Sequence, residues 1–265
     1  MITLAHISDL HFGRENPHLI KGLFENLEVI DPQLIVVSGD LTQRARRSEF
    51  LAARSFLDSL QWPFIVIAGN HDISADNLAE RFLHPWRKWH LYIGSALEPV
   101  VRGEDHIAIG INTARKSGYS LDWSRGRINL RQIQTVAEHL AGENEEKLRV
   151  IVAHHPFWIP EKYSHRRIVG RRDIALEKLK KAGADLILSG HIHLAYTHVL
   201  NGLIISHAGT TISSRLEEDY PNSFKIIRGD RQRLFVETRE WEGGAFVRSE
   251  EQVFKRSQGE WIISV

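Results

Sequence analysis

Five apolar segments of this sequence each end in side chains that could bind a metal ion. The side chains are aspartate, asparagine and histidine, and thiolate ligands are excluded because the chain has no cysteine. Oxygen and nitrogen ligands without sulfur suit divalent ions such as Mn, Fe, Zn or Co. The segment endings therefore predict metal chemistry. In chain order the candidate residues are Asp9, His11, Asp40, Asn70, His71, Asp72, His154, His191 and His193.

These candidates are more numerous than one catalytic ion needs. A catalytic zinc ion takes about three protein ligands and keeps one position open. Two ions about 3.5–4 Å apart that share a carboxylate use more ligands, and such a pair lowers the pKa of a bound water and stabilises both oxygens of an in-line phosphoryl displacement. We expect two divalent ions, Mn, Fe or Zn, as cofactors. The seven expected ligands are Asp9, His11, Asp40, Asn70, His154, His191 and His193.

The segments that carry these residues have the character of buried strands. The stretch from Ile65 to Ala68 is apolar and partly β-branched, and Gly69 lets the backbone turn sharply before Asn70. Sheets of α/β proteins present their chemistry at the carboxyl ends of the strands. If the five strands end at one edge, residues that are far apart in the sequence meet in one small volume.

Helical periodicity between these strands predicts an α/β fold. Strands and helices alternate in the first half, which favours a parallel sheet with right-handed crossovers. The second half contains short strands and a hairpin signal at Asn201-Gly202, so it either adds antiparallel strands to the first sheet or forms a second, facing sheet. A glycine-rich loop is expected up to Gly126. The predicted helices span 19–30, 48–60, 76–91, 130–141 and 173–182, and the later strands span 106–112, 150–153, 186–189, 196–200, 203–207, 224–228, 234–238 and 245–247.

The bulk composition is that of an ordinary folded domain, with 42% apolar and 25% charged residues in 265. Because no repeat or linker is evident, we expect a single domain over 1–265, in which the part from about 215 is a sheet edge, a cap or the arm of a homodimer. No apolar run approaches the roughly 20 residues of a membrane span. We therefore expect no membrane span and a cytoplasmic location. The net charge of +1 makes nucleic acid an unexpected partner.

The ordered motifs resemble those of a known enzyme family. Between residues 9 and 193 the sequence reads Asp-x-His, Gly-Asp, Gly-Asn-His-Asp, His-x-Pro and Gly-His-x-His. This order is similar to the five motifs of the calcineurin-like metallophosphoesterases. The resemblance implies a four-layer α-β-β-α sandwich of two mixed sheets around a dinuclear metal centre.

The resemblance also implies a role for each candidate. His71 would act from outside the metal shell, stabilising the transition state or protonating the leaving oxygen after attack by a hydroxide between the ions. Asp72 would orient His71, as carboxylates fix histidine tautomers elsewhere. One ion would be held by Asp9, His11 and His193, the other by Asn70, His154 and His191, and Asp40 would bridge the two.

Details of the motifs favour one branch of the family. The motif Gly-Asn-His-Asp differs from the Gly-Asn-His-Glu of protein Ser/Thr phosphatases and from the Gly-Asn-Arg-Asp of lipid A UDP-sugar pyrophosphatases. The opening Ile-Ser-Asp-Leu-His-Phe-Gly and the His-His-Pro are most similar to bacterial class III cyclic-nucleotide phosphodiesterases and their glycerophosphodiesterase relatives. A phosphodiesterase acting on small phosphodiesters is therefore expected. A nuclease, a phosphomonoesterase, a nucleotide-sugar pyrophosphatase and a non-catalytic scaffold are the alternatives.

Further polar residues near the motifs could hold the non-reacting part of a substrate. Arg14 follows the first motif, Asn112 leaves another strand end, His155 adjoins a ligand, and His207 ends a later strand. The basic loop 157–172 could form a lid of the pocket, an oligomer contact or a solvated face.

Overall fold

A computed structural model of the chain describes residues 1–116, 124–218 and 220–264. Most of the predicted glycine-rich loop before Gly126 lies outside these residues. The described helices are α1 Pro17–Ile30, α2 Arg47–Ser59, α3 Leu78–Leu83, α4 Arg87–Tyr92, α5 Leu130–Ala141 and α6 Arg172–Lys181, with short 3₁₀ turns at Asn70–Asp72 and Glu161–Tyr163. The strands are β1 Ile2–Ile7, β2 Leu34–Val37, β3 Phe64–Val66, β4 Val100–Arg102, β5 His106–Ile111, β6 Leu148–Ala153, β7 Leu186–Ser189, β8 Tyr196–Leu200, β9 Leu203–His207, β10 Ser223–Gly229, β11 Arg233–Glu242, β12 Ala245–Ser257 and β13 Glu260–Ile263.

The strands form two mixed sheets. The larger sheet has the order β13-β12-β11-β10-β1-β2-β3, and the smaller has the order β4-β5-β6-β7-β9-β8. Pairing is parallel from β1 to β3 and from β5 through β7 to β9, and antiparallel elsewhere. All five strands whose carboxyl ends carry the candidate ligands, β1, β2, β3, β6 and β7, belong to these parallel runs.

Three buried apolar clusters define the layers between and outside the sheets. One lies between the larger sheet and α1 and α2, one between the two sheets, and one between the smaller sheet and α5 and α6. The predicted four-layer α-β-β-α sandwich is confirmed by this arrangement. Representative residues are Leu23, Phe50 and Ile226 in the first cluster, Leu4, Val150 and Ile227 in the second, and Ile133, Ile151 and Leu176 in the third.

The region 76–91, predicted as one helix, is two short helices separated by His84-Pro85. Pro85 disfavours the helical conformation of the preceding residue, and His84 leaves it with φ −139° and ψ 57°. The prediction of a continuous helix is therefore wrong.

The C-terminal quarter of the chain is built into the larger sheet. β10 pairs with β1, and β11, β12 and β13 extend the sheet outward from there. The described strands of this segment form one edge of the larger sheet. No helix among the described residues is both long and apolar enough to cross a membrane.

Candidate metal centre

The predicted ligands meet where the two sheets end. One group of ligand atoms comes from Asp9, His11 and His193, and another comes from Asp9, Asp40 and His154; within each group the atoms lie within 4.8 Å of one another. Asp9 and His11 follow β1, Asp40 follows β2, His154 follows β6 and His193 follows β7. Both sheets therefore contribute donors to one centre.

The backbone of several donors lies in the left-handed region, which non-glycine residues rarely adopt. Such conformations persist where the surrounding structure enforces them, and they cluster at functional sites. Here they lie in the turns immediately after the strand ends. The five donors and their φ angles are Asp9 at 52°, His11 at 45°, Asp40 at 50°, His191 at 79° and His193 at 57°.

Two glycines make close approach of these turns feasible. A Cβ atom on Gly69 would lie 2.1 Å from Asp40 Oδ1, and one on Gly190 would lie 2.0 Å from Ser8 Oγ and 2.3 Å from Asp9 Oδ2. Neither position can carry a larger side chain without displacing a candidate ligand. The glycine that precedes a donor in these motifs is therefore needed for space.

The hydrogen bonds of His11 and His193 leave two acceptor atoms facing each other. His11 Nδ1 lies 3.3 Å from the carbonyl of Thr42, and His193 Nδ1 lies 2.7 Å from the carbonyl of Arg215. Since a carbonyl oxygen only accepts, each Nδ1 donates, and in the neutral ring the lone pair is then on Nε2. The two Nε2 atoms are 3.1 Å apart. Such a contact requires positive charge, from a proton or from a metal ion.

Acceptor atoms also crowd together around His154. His154 Nδ1 donates to the carbonyl of Ser38 at 2.8 Å, so its Nε2 faces Asp40 Oδ2 at 3.3 Å and Asn70 Oδ1 at 3.2 Å. The buried Oδ1 of Asp9 has no hydrogen-bond partner among the described residues. An orphaned carboxylate oxygen beside crowded nitrogen and oxygen donors fits divalent cations.

The pKa values of the centre reflect this need for positive charge. Burial opposes ionisation of Asp40, but His154 and His71 outweigh it and hold the pKa of Asp40 well below its usual range. Burial likewise opposes protonation of His154, yet Asp40 and Asp9 raise the pKa of His154 to about 9. By contrast, burial lowers the pKa of His191 to about 3. A divalent ion would compete with the proton of His154 and would find His191 already neutral.

His71 faces the centre with its ring fixed by the main chain. Its Nδ1 lies 2.7 Å from the carbonyl of Gln43, and its backbone N–H donates to Asp40 Oδ1 at 2.8 Å. Asp72 does not orient this ring, and the prediction that it does is wrong. The Asp72 carboxylate instead accepts from the backbone N–H groups of Gly69 and Thr42, both at 2.9 Å. It joins the turn after β2 to the turn after β3.

Two of the four predicted substrate contacts are buried packing residues, which contradicts their assigned role. His155 binds Thr113 Oγ1 and the carbonyl of Ser124 through its two ring nitrogens, and its ring packs 4.5 Å from that of His191. His207 is buried, with Nε2 2.9 Å from Ser189 Oγ, and it stacks on an aromatic ring, that of Tyr196. Both support ligand-bearing segments from behind.

The other two predicted contacts lie away from the centre. Asn112 lines a separate cavity with Glu98 and Gln132. Arg14 is exposed and is not among the described residues that line the cavity at the centre. Neither side chain is among the described residues that line the cavity at the centre, so proximity in sequence to a strand end does not by itself support the predicted role.

The cavity at the centre holds about 280 Å³ and has a rim that the motifs do not supply. Arg215 lies with its Nη1 3.1 Å from His71 Nε2. Arg166, from the basic loop, pairs with Glu217 at the mouth. The sequence pattern did not identify Arg215 as a residue of the site, because it follows no predicted strand. Only the pairing of the later strands places it at the cavity.

Curated relatives match parts of this chain. It is 38% identical over 86 residues to the glycerophosphodiester phosphodiesterase GpdQ of Enterobacter lignolyticus. The aligned stretch covers 28% of this chain and 31% of that protein. It is 24% identical over 164 residues to a probable cyclic nucleotide phosphodiesterase of Ruthia magnifica, covering 58% of this chain and 59% of that protein. The chain thus spans less than two thirds of the length of these relatives.

Solved structures share the fold. The purple acid phosphatase PPD1 of yellow lupin, Lupinus luteus, superposes with a TM-score of 0.69 at 15% identity, over 94% of this chain and 53% of that one. A dimetal phosphatase from Danio rerio gives a TM-score of 0.67 at 13% identity, over 97% of this chain and 99% of that one. At such identities the likeness extends to the fold alone.

The family is shown by the sequence itself. Residues 2–195 match the family model described as calcineurin-like phosphoesterase, and this stretch contains all seven predicted ligands. The resemblance drawn from the five motifs is confirmed at this level. The chain belongs to the calcineurin-like phosphoesterase family.

Proposed function

We propose that this protein is a metal-dependent phosphodiesterase that hydrolyses small phosphodiesters at a dinuclear centre. The observation that carries the proposal is the crowding of acceptor atoms from both sheets, with His11 and His193 Nε2 only 3.1 Å apart and Asp9 Oδ1 without a hydrogen-bond partner among the described residues. Burial of crowded acceptor atoms is unfavourable unless positive charge lies between them, and bound cations would supply that charge.

The seven donors divide into two sets around one carboxylate. When bound, a pair of divalent ions supplies Lewis acidity and lowers the pKa of a bound water to near neutrality. Backbone carbonyls already fix the orientation of three histidine donors, since the Nδ1 atoms of His11, His154 and His193 each face one. In the proposed arrangement Asp9, His11 and His193 hold one ion, Asn70, His154 and His191 hold the other, and Asp40 lies between them.

His71 is the proposed acid of the reaction. Its Nδ1–H bond to the carbonyl of Gln43 leaves Nε2 directed into the cavity. When its ring carries a second proton, on Nε2, His71 would donate that proton to the leaving oxygen or stabilise the charge that develops on it, a contribution of about 10²–10⁴-fold for a positioned acid. Its backbone bond to Asp40 keeps it beside the metal centre without making it a ligand.

The cavity favours a small substrate, and a cyclic nucleotide is the first candidate. A volume of about 280 Å³ and a rim closed by Arg166 and Glu217 leave little room for a duplex. The net charge of +1 also lacks the positive excess by which proteins neutralise nucleic-acid phosphates. The names of the curated relatives, phosphodiesterases of glycerophosphodiesters and cyclic nucleotides, support the same reaction class.

The test is hydrolysis of bis(p-nitrophenyl) phosphate by purified protein whose metal content is measured in parallel. We expect about two transition-metal ions per chain, loss of hydrolysis in chelator, and recovery on addition of Mn. Hydrolysis that persists after the metal is removed would contradict the proposal. A panel of cyclic nucleotides, glycerophosphodiesters, nucleotide sugars and mononucleotides then identifies the substrate class, and protein that retains no metal would be a scaffold instead.

A further inference from the structure

Arg215 places a positively charged guanidinium at the centre, although it lies outside the five family motifs. Its Nη1 lies 3.1 Å from His71 Nε2 and 3.4 Å from His11 Nε2, and its side chain lines the cavity. The family match ends at residue 195, so this side chain comes from the part of the chain that follows it. We propose that Arg215 is a catalytic residue that binds the phosphoryl oxygens of the substrate, an inference that rests on the proposed phosphodiesterase function.

The backbone around Arg215 is fixed to the ligand-bearing loops. The carbonyl of Arg215 accepts from His193 Nδ1 at 2.7 Å, and its N–H donates to Ser213 Oγ at 3.2 Å. Next to it, the Ser214 N–H donates to the carbonyl of Arg14, in the loop after β1, at 2.9 Å. The position of Arg215 is therefore set by the same loops that carry His11 and His193.

The guanidinium of Arg215 forms no direct ion pair with a carboxylate in the described part of the chain. Its recorded partners there are histidine nitrogens, and no carboxylate lies within ion-pair distance of its guanidinium. Arg166, on the same rim, differs because it is paired with Glu217. A half-buried guanidinium without an anion, facing a polar cavity, is suited to bind phosphate, and its planar donors can contact two phosphoryl oxygens at once.

The position beside His71 gives Arg215 a role in the transition state. The two side chains lie 3.1 Å apart at Nη1 and Nε2, so a substrate oxygen placed beside His71 Nε2 is also within reach of the guanidinium. Negative charge on the phosphoryl group and leaving oxygen shifts during displacement. A fixed donor aimed at that charge contributes more in the transition state than in the bound substrate.

The experiment compares Arg215→Ala and Arg215→Lys with the wild type, using Mn-loaded protein of residues 1–265. Arg47→Ala is the matched control, because Arg47 is exposed at the start of α2. We expect Arg215→Ala to lower kcat/KM for bis(p-nitrophenyl) phosphate by about 10²–10³-fold, with the metal content unchanged and with partial rescue by guanidinium chloride but not by sodium chloride. Arg215→Lys should retain part of the activity, because it keeps the charge but loses the two-point contact.

Two outcomes would overturn the inference. One is activity of Arg215→Ala equal to that of Arg47→Ala, and the other is loss of metal from Arg215→Ala, which would indicate a structural role through His193. If the wild type hydrolyses no ester in the panel, the phosphodiesterase proposal fails by itself. Binding of inorganic phosphate to the Mn-loaded protein, measured by calorimetry, then decides the role of Arg215; the inference requires binding at least about tenfold weaker in Arg215→Ala.

Discussion

Asp9 and Asp40 are buried carboxylates whose closest partners include histidine rings with lone pairs of their own. His11 Nε2 lies 3.8 Å from Asp9 Oδ1 and 3.9 Å from Asp40 Oδ2. Burial of two such carboxylates together is unfavourable unless positive charge lies between them. Against the effect of burial, Asp40 and Asp9 raise the pKa of His154 to about 9, and Asp9 raises the pKa of His193, so protons on these rings are one source of such charge.

Asp40→Asn tests the central carboxylate. The amide oxygen can still accept from the His71 N–H, so the turn keeps its shape, but the negative charge shared by the two proposed ions is lost. We expect metal occupancy to fall and kcat/KM to drop by about 100-fold or more, as for the loss of a key electrostatic group. Metal analysis and hydrolysis assays check both effects, with exposed Asp58→Asn as the control. Full metal content in Asp40→Asn would contradict the bridging role.

His71→Ala separates catalysis from metal binding. His71 is held by the Gln43 carbonyl and is not needed to complete either set of ligands. We expect both ions to remain and kcat to fall by about 10²–10⁴-fold, the usual contribution of a positioned acid. The control is His18→Ala, which removes an exposed histidine from α1. A near-normal kcat would remove the role assigned to His71.

Lys225 introduces a pH dependence that is separate from the metal centre. Burial lowers its pKa to about 8, against the opposing effect of Glu250 and Glu240, and Nζ donates to Thr238 Oγ1 at 2.6 Å. His6, its partner on β1, is also buried. The unfolded lysine keeps its proton up to a pKa of about 10.4. The folded chain therefore binds fewer protons between about pH 8 and 10.4, and stability must rise with pH across that range.

Lys225→Met should abolish this contribution. We expect the free energy of unfolding of the wild type, relative to Lys225→Met, to increase by roughly 3 kcal/mol at most between pH 7 and 10.5. Urea unfolding in chelator at several pH values measures the difference, and Lys21→Met, at an exposed lysine, is the control. Parallel pH profiles for wild type and Lys225→Met would contradict the lowered pKa.

The proposed ligand residues could be singled out in the sequence because each one lies at or just beyond the end of an apolar segment. The residues that fix His71 and complete the rim of the cavity could not be recognised there. Gln43 acts through its carbonyl oxygen, which any residue carries, and Arg215 reaches the cavity only after the chain has formed β8 and β9. Side-chain type and spacing identify donors, but hydrogen bonds to main-chain atoms leave no pattern in the sequence.

The turns at the strand ends are the elements on which the centre depends. Ser8 Oγ donates to Asp9 Oδ2 at 2.7 Å, and the His191 N–H donates to the same oxygen at 2.9 Å, so the turns after β1 and β7 meet at one carboxylate. Gly190 lies in this contact and leaves no space for a methyl group. Distortion of either turn is therefore transmitted directly to a ligand.

Gly190→Ala should displace Asp9. We expect a loss of about 1–3 kcal/mol in the free energy of unfolding, as is typical of overpacking, together with lower metal occupancy. Gly142→Ala is the matched control, because Gly142 at the end of α5 has open space around the position of a Cβ atom and a φ of −88°. Thermal unfolding and metal analysis distinguish the two variants. Equal metal content in both would show that the turn tolerates the methyl group.

Strong hydrophobic periodicity predicted the positions of helices and central strands well, whereas weak alternation did not predict the positions of the last strands. The central strands and α1, α2, α5 and α6 lie close to their predicted positions. β12 is 13 residues long with mainly exposed side chains, so only a short part of it had the alternation of a half-buried strand. β13 is a four-residue edge strand with a single buried side chain, that of Trp261.

At the scale of the molecule, we propose that residues 1–265 form a single cooperative domain. β10 pairs with β1, so the last strands of the chain complete the sheet that begins with the first strand. Urea unfolding followed by far-UV circular dichroism and by tryptophan fluorescence should give coincident transitions. Added Mn should raise the midpoint, because ions that bind only the folded state stabilise it. Separate transitions for the two probes would indicate independent units.

The distribution of donors between the sheets has a consequence for how mutations should be interpreted. Asp9, His11, Asp40 and Asn70 follow strands of the larger sheet, whereas His154, His191 and His193 follow strands of the smaller one. The distances between donor atoms from the two sheets therefore depend on how the two sheets pack against each other. A conservative exchange deep in that apolar interface, remote from any polar atom, would then change the reaction rate before it changed the fold.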